Sequence, residues 1–390
     1  MNAHMLFLGS YPPRECGIAT FTKDVVDNFR QKFHGDSSVI AINEPLNAAR
    51  LYPKEVIATL SQQDRSDYLR IARLINNHPA DILNIQHEYG LFGGLEGEWV
   101  LDLLEAVHKP IVIALHTVLP EPDAHHLWLA KSICSQVTSI VVLSETGKAL
   151  LCSVYGVPRE KITVIHHGVP DVPFQGTHAA KAALGLVGRD VISTFGLIGR
   201  GKGLEYAIEA MSQVVARHPQ ALYLVLGQTH PGVRRSEGES YREFLQDILV
   251  REKLERNVVF VDRYLEFREL VQYLSATDIY LTPYLNPTQI VSGTLAYAVG
   301  SGKAIVSTPY LYAQELLAHG RGFLSKFRDA DSIASLICAL LDDPDLRHLT
   351  ERRAYQYGRR MIWSNVALEY GKVFEALLPD ARGCNLKVSA

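Results

Sequence analysis

The chain offers little sulfur. Its five cysteines, Cys16, Cys134, Cys152, Cys338 and Cys384, are scattered, odd in number and form no CxxC pair. That excludes a disulfide framework and a cysteine-based zinc site as organising features, and fits reduced thiols in a cytoplasmic protein. Long apolar runs are missing too: none approaches the roughly 20 residues that a membrane-spanning helix requires. The apolar stretch within residues 1–9 is short, lacks a basic leader and enters a proline-containing loop, so it reads as a buried strand and not as a signal peptide. Peripheral membrane contact stays open at this level. Nor does one sign of charge dominate. With 39 Lys and Arg against 42 Asp and Glu, the net charge is −3, which argues against a nucleic-acid binder with its basic face but leaves room for a local basic pocket around a phosphate. No short-period repeat or low-complexity tract stands out.

What the chain has is apolar content in short runs. Hydrophobic residues make up 47% of its 390 positions and charged residues 21%, which suits a soluble globular protein of two domains. Runs at 5–8, 39–42, 82–86, 111–115 and 140–143 read as strands buried on both faces, with a short one at 164–165. Amphipathic stretches at 20–33 and 67–77 lie between them. The pattern then restarts, with strands expected at 191–195, 223–226, 258–260, 279–282 and 304–307. Helices are expected at 204–217, 241–253, 267–276, 292–299 and 330–341. This alternation predicts an α/β architecture of two Rossmann-like, doubly wound domains, residues 1–175 and 186–360, joined through a Pro- and Gly-containing stretch. Residues 231–240 read as a flexible loop, and a last helix is expected at 363–378.

Ligands of open parallel sheets bind beyond the carboxyl ends of the strands, and the unusual residues cluster there. After the first strand, residues 10–20 carry Arg14 and Gly17, where backbone can approach a ligand at a helix N-terminus. After the run at 82–86 come His87, Glu88 and Tyr89, a polar and aromatic set suited to sugar hydroxyls. His116 follows the next strand and is placed to bind substrate or assist proton transfer. His166 and His167 are adjacent, so their side chains diverge, and no carboxylate completes a metal site. No metal is expected. Residues 195–205 contain Gly196, Gly199, Gly201 and Gly203 with Arg200 and Lys202, a combination of free N–H groups, helix dipole and cations that makes a phosphate cradle. It is not a Walker A loop. Residues 283–294 lead into a helix whose first turn offers Ser292, Gly293 and Thr294 as a second anion-binding N-terminus.

At these residues the chain resembles the family 4 glycosyltransferases, retaining enzymes of the GT-B fold. The resemblance runs from the Gly17 loop through residues 157–169 and the Gly201–Lys202–Gly203 turn to the helix–turn–strand at 296–306. It implies two Rossmann-like domains facing a central cleft, with helix 363–378 crossing back to the first. It also implies metal-independent transfer of a hexosyl group from a nucleotide-diphosphate sugar, a substrate and not a cofactor, to a glycan or other hydroxyl acceptor. Carried over by position, Lys202 would hold the donor phosphates, with Gly196 and Arg200 of the same loop expected beside it from the residues alone, His116 would contact the transferred sugar, and Ser292, Gly293 and Thr294 would sit near sugar or diphosphate. From the residues themselves, Gly17 and Gln289 are expected on the donor side, the Gly17 loop also admitting the acceptor, and Arg14, His87, Glu88, Tyr89 and Tyr297 at the sugar or acceptor. The chain departs from the family pattern in three places: Leu197 follows Gly196 where an Arg is common, and Gln289 and Tyr297 occupy the places of two glutamates, the second of which typically holds the ribose. Two further readings follow from those departures, a phosphorylase or transferase using a simpler sugar phosphate and a non-catalytic glycan-binding member. Sugar, base, acceptor and oligomeric state are not written in the sequence.

Overall fold

The protein is described here by a computed structural model covering residues 4–34, 37–44 and 51–378. It divides into two units, Met1–Gly168 with Trp363–Ala390, and Val169–Ile362. The division falls just after Gly168, beside the stretch 170–189 in which the joint is expected.

In the first unit the strands are β1 (Met5–Gly9), β2 (Ser37–Asn43), β3 (Val56–Ser61), β4 (Ile82–His87), β5 (Ile111–Leu115), β6 (Ser139–Val142) and β7 (Ile162–Val164). Among the described residues they form a seven-stranded sheet in the order β3-β2-β1-β4-β5-β6-β7, and every pairing is parallel. Its helices are α1 (Gly17–Phe33), α2 (Arg65–Asn77), α3 (Val100–Ala106), α4 (Ala124–Gln136) and α5 (Glu145–Ser153). β1, β4 and β5 are buried along their whole length, which is why β1 and β5 read as unbroken apolar runs. β4 is the exception in chemistry: Asn84 and Gln86, two residues apart and so on one face, are both fully buried.

The second unit carries β8 (Asp190–Phe195), β9 (Ala221–Leu226), β10 (Val258–Val261), β11 (Ile279–Thr282), β12 (Ala304–Ser307) and β13 (Phe323–Leu324). They form a parallel sheet, six-stranded among the described residues, ordered β10-β9-β8-β11-β12-β13. The helices here are α6 (His178–Leu184), α7 (Leu204–Arg217), α8 (Pro231–Glu237), α9 (Ser240–Arg251), α10 (Phe267–Ala276), α11 (Gly293–Gly300), α12 (Leu311–Leu317), α13 (Ala330–Asp342) and α14 (Pro344–Gly358). Part of the stretch expected to be linker is thus α6, docked by Lys181, whose Nζ donates to Asp278 Oδ2 at 2.6 Å in a buried ion pair. Asp278 also accepts from the Val191 amide at 2.7 Å, tying α6 to the start of β8. The expected loop at 231–240 is largely α8. Pro231 stands at its first position, where the missing N–H costs nothing, and the His230 side chain caps it by accepting from Gly232 N at 3.0 Å. Gly238, at φ +64°, ends it.

The chain then returns to the first unit as α15 (Trp363–Glu375), which packs on α1. Phe374 is fully buried with its ring centroid 5.4 Å from Phe29 and 6.4 Å from Phe7. The approach is close because Gly371 has no side chain: a Cβ there would stand 2.2 Å from the Phe33 ring.

Candidate functional site

Strand order reverses beside β1 in one sheet and beside β8 in the other, since each has neighbours whose connections leave in opposite directions. Crevices at such points are where doubly wound sheets take ligands. The loops after β1 and β4 border the first, and those after β8 and β11 border the second.

At the second crevice the chain turns sharply after β8. Gly196 has φ +123°, and a Cβ there would lie 3.2 Å from the Thr294 methyl, so the β8 loop and the first turn of α11 are neighbours. The single turn Arg200–Lys202 ends at Gly203, φ +61°, where a Cβ would sit 2.2 Å from the Pro283 carbonyl oxygen. Only glycine allows that contact. Leu285 N donates to Gly201 O at 3.0 Å, fastening the turn to the loop after β11. Lys202 Nζ then lies 3.8 Å from the centre of the Tyr284 ring. The Tyr284 hydroxyl is 2.7 Å from Thr294 Oγ1, which is 3.2 Å from Ser292 Oγ. Ser292 caps α11 by accepting from Leu295 N at 3.3 Å. An ammonium group, two hydroxyls and a helix N-terminus are therefore gathered within one loop pair, a combination suited to a phosphate-bearing ligand.

The remaining residues expected on this side lie differently. Arg200 reaches Glu237 at 3.2 Å and stands 5.4 Å over the Tyr241 ring, on the side of α8 and α9. Tyr241 holds the start of α7 from there, accepting from Leu204 N at 3.1 Å and donating to Glu205 at 2.5 Å. Gln289 folds back, its Nε2 donating to Val291 O at 2.8 Å. Tyr297 is 7% exposed and packs its ring 6.0 Å from Phe195, within the core beneath the crevice.

At the first crevice, Cys16 caps α1, its Sγ accepting from Ala19 N at 3.3 Å, and Gly17 stands open with nothing near its Cα hydrogens. Arg14 pairs with Glu44 at 2.9 Å. Behind the loop, the polar face of β4 reaches β5. Gln86 donates through Nε2 to Asn84 Oδ1 at 2.7 Å, so its oxygen is left to accept from His116 Nε2 at 2.9 Å. That bond makes His116 the Nε2–H tautomer with Nδ1 as acceptor. Burial, with His167 and His87 nearby, pushes the His116 pKa down to about 3. The ring is therefore neutral at physiological pH, able to hydrogen-bond a sugar hydroxyl but not to act as an acid. Phe21 seats it edge-on at 4.9 Å and touches His167 and Trp363 as well.

His87 is buried with its ring stacked 5.5 Å from Phe92, and neither ring nitrogen has a hydrogen-bond partner among the described residues. Burial lowers its pKa to about 4. It lines a small cavity with Tyr89, Thr117 and Tyr155, so this expected ligand residue sits behind the crevice wall. Glu88 is half-buried: Oε1 accepts from Tyr89 N at 3.0 Å and Oε2 from Thr117 at 2.7 Å. Burial raises its pKa, opposed by those two bonds. Residue patterns did not single out Gln86 as the partner of His116, Thr117 as the partner of Glu88, or Tyr284 as the partner of Lys202. The readable signal was the pair of amides, Asn84 and Gln86, inside an otherwise apolar strand. Among the described residues no group of three or more His, Cys, Asp or Glu side chains is arranged to hold a metal ion, and no helix is long and apolar enough to cross a membrane.

Comparison with known proteins agrees with this architecture. Residues 17–171 match the family model "Glycosyltransferase Family 4" and residues 189–343 match "Glycosyl transferases group 1". The chain is 26% identical over 266 residues to the lipopolysaccharide core biosynthesis mannosyltransferase LpcC of Rhizobium leguminosarum, covering 66% of this chain and 70% of that one. It is 27% identical over 189 residues to the phosphatidyl-myo-inositol mannosyltransferase of Mycolicibacterium smegmatis, a match spanning 48% of this chain and 45% of the relative. In structure it resembles Anabaena HepE in complex with UDP, with a TM-score of 0.77 at 16% identity over 96% of this chain and 100% of that chain. Sucrose-phosphate synthase from Thermosynechococcus elongatus gives 0.76 at 17% identity, over 96% and 99%. Two Rossmann-like parallel-sheet units with these neighbours define the GT-B fold. The chain belongs to glycosyltransferase family 4 and is a glycosyltransferase.

Proposed function

We propose that the protein transfers a hexosyl group from a nucleotide-diphosphate sugar to a hydroxyl of a glycan or small-molecule acceptor, with retention of configuration and without a metal. The observation that carries this reading is the gathering of Lys202, Thr294, Ser292 and the α11 N-terminus around the β8 and β11 loops. In the transfer the bond between the anomeric carbon and the phosphate oxygen breaks, its electron pair leaves with the diphosphate, and the acceptor oxygen forms the new bond as its proton is released. Negative charge grows on the departing phosphate, where a preorganised cation and helix N–H groups lower the barrier. Lys202 and α11 take that role. On the acceptor side, His116 is a neutral hydrogen-bonding group, with Arg14, Gly17 and Glu88 on the loops beside the same crevice and Tyr89 buried behind them. The likeness to HepE, which is seen in complex with UDP and with UDP-glucose, supports a nucleotide-sugar donor, and the mannosyltransferase relatives support a hexose.

A second reading, a transferase or phosphorylase using a simpler sugar phosphate, is favoured by one observation. Tyr297 and Gln289 stand where the family pattern has glutamates, and neither supplies a carboxylate for a ribose. A thermal-shift series with UDP, GDP, ADP, their sugar conjugates, hexose 1-phosphates and phosphate separates the two. A ligand held at a hundred times its dissociation constant stabilises the fold by about 2.7 kcal/mol. Stabilisation by one nucleotide and its sugar conjugate is the expected outcome, whereas a response to hexose 1-phosphate with every nucleotide silent would favour the second reading. Lys202→Ala is expected to lower turnover at least tenfold, about 1.4 kcal/mol in the barrier. Unchanged turnover in a folded variant would remove Lys202 from the chemistry.

A further inference from the structure

Tyr284 occupies the loop between β11 and α11, is 1% exposed, and is held on several sides. Its ring lies against Tyr310 with centroids 5.6 Å apart and planes at 17°. Its carbonyl oxygen accepts from Thr308 Oγ1 at 2.5 Å. The residues before and after it dock on the glycine turn, Pro283 against Gly203 and Leu285 through its amide to Gly201 O. From this fixed position the side chain reaches two ligand-binding elements at once. The ring supports the Lys202 ammonium at 3.8 Å, and the hydroxyl meets Thr294 at 2.7 Å.

The type of partner matters. Arg200 is paired with a carboxylate, Glu237, so its charge is already neutralised locally. Among the described residues no carboxylate pairs with Lys202. Its partner is an aromatic face, which attracts a cation through the ring quadrupole without contributing a negative charge that would compete with phosphate. Lysine is also a flexible four-carbon stem carrying a point charge, and such a group gains most from being held before the ligand arrives.

We infer that Tyr284 is a positioning residue that sets the Lys202 ammonium and the Thr294 hydroxyl at the α11 N-terminus in fixed register, so that a diphosphate meets them as one preformed pair. The inference rests on the reading of Lys202 as the donor-phosphate cation. It gives a single side chain control over both halves of the anion site. Tyr284→Phe keeps the ring under Lys202 and loses only the link to Thr294, whereas Tyr284→Leu loses both.

The test is a double-mutant cycle on the full chain, with binding of UDP, GDP and inorganic pyrophosphate measured by titration calorimetry and donor kinetics measured alongside. Tyr284→Phe is expected to weaken the responding ligand about two- to fivefold, the scale of one hydrogen bond, and to raise the donor KM more than it lowers kcat. Tyr284→Leu is expected to weaken it roughly tenfold, with little further loss when Lys202→Ala is added, because the two residues act as a unit. Losses that simply add, or affinity within twofold of wild type in a folded Tyr284→Leu, would overturn the positioning role while leaving Lys202 in place. If Lys202→Ala alone leaves binding unchanged, or if the wild type binds none of the three probes, the reading of Lys202 fails and the inference with it. Should Tyr284→Leu not fold, the Phe variant decides: an unaltered donor KM there refutes the link between the two elements.

Discussion

At the scale of single residues, the site depends on backbone geometry as much as on charge. Gly203 sits at positive φ against a carbonyl oxygen, so Gly203→Ala must either shift the β11 loop or open the turn that carries Lys202. It is expected to cost about 1–3 kcal/mol in stability, read by chemical denaturation, and to weaken donor binding together with it. His116 makes a different kind of prediction. With its pKa pushed down to about 3, it stays neutral throughout the working range. The pH–rate profile between pH 5.5 and 8 should therefore contain no limb that His116→Asn removes. Such a limb would mean that the ring titrates in the reacting complex and takes a direct part in proton transfer.

At the scale of elements, α11 combines a structural cap with a ligand-binding end. Ser292→Ala removes the side-chain acceptor for Leu295 N and is expected to destabilise the fold by about 0.5–2 kcal/mol. If the same hydroxyl also meets the donor, nucleotide affinity falls in the same variant, whereas a melting change with intact affinity would restrict Ser292 to capping. The elements that border the crevices were legible because their strands are buried on both faces and their glycines mark the turns: β1, β4, β8 and β11 all announce themselves as apolar runs ending in polar clusters. β3 did not, since at the sheet edge only Leu60 among its residues is buried and its run is less apolar. α8 was hidden by composition, its Arg, Ser and Glu residues reading as loop until the cap at His230 and the stop at Gly238 are seen. Arg200 was chosen for its charge, and sequence had no means of showing Glu237 and Tyr241 beside it. Tyr284 was invisible in another way: its importance lies in the Lys202 ammonium and Tyr310 ring against its face and the Thr294 hydroxyl at its own, and no local pattern encodes that meeting.

At the scale of the whole molecule, three histidines in one unit, His87 and His116 buried and His167 half-buried, link stability to pH. His87, His116 and His167 have folded-state pKa values lowered to about 4, 3 and 4, chiefly by burial. The unfolded chain therefore takes up protons first as pH falls. Their neutral-state contribution is fully present above the unfolded value of about 6.5 and is lost as pH falls from there toward 4, each group at up to about 1.4 kcal/mol per pH unit. Denaturant unfolding at pH 7.5, 6 and 5 should show steep loss below 6.5, and a His87→Phe variant should flatten it. A curve unchanged between wild type and variant would exclude His87 as a source. The second unit has its own buried charge, and breaking the Lys181–Asp278 pair with Asp278→Ala should cost about 3–5 kcal/mol by leaving an ammonium group without its partner. Finally, α15 has a consequence for synthesis. A ribosome delivers residues 4–168 long before Trp363, Tyr370 and Phe374, so during translation the pocket around Phe7 and Phe29 lacks its cover while the intervening unit is made. The cover over Phe7 and Phe29 is therefore made only after every residue of the second unit has been synthesised.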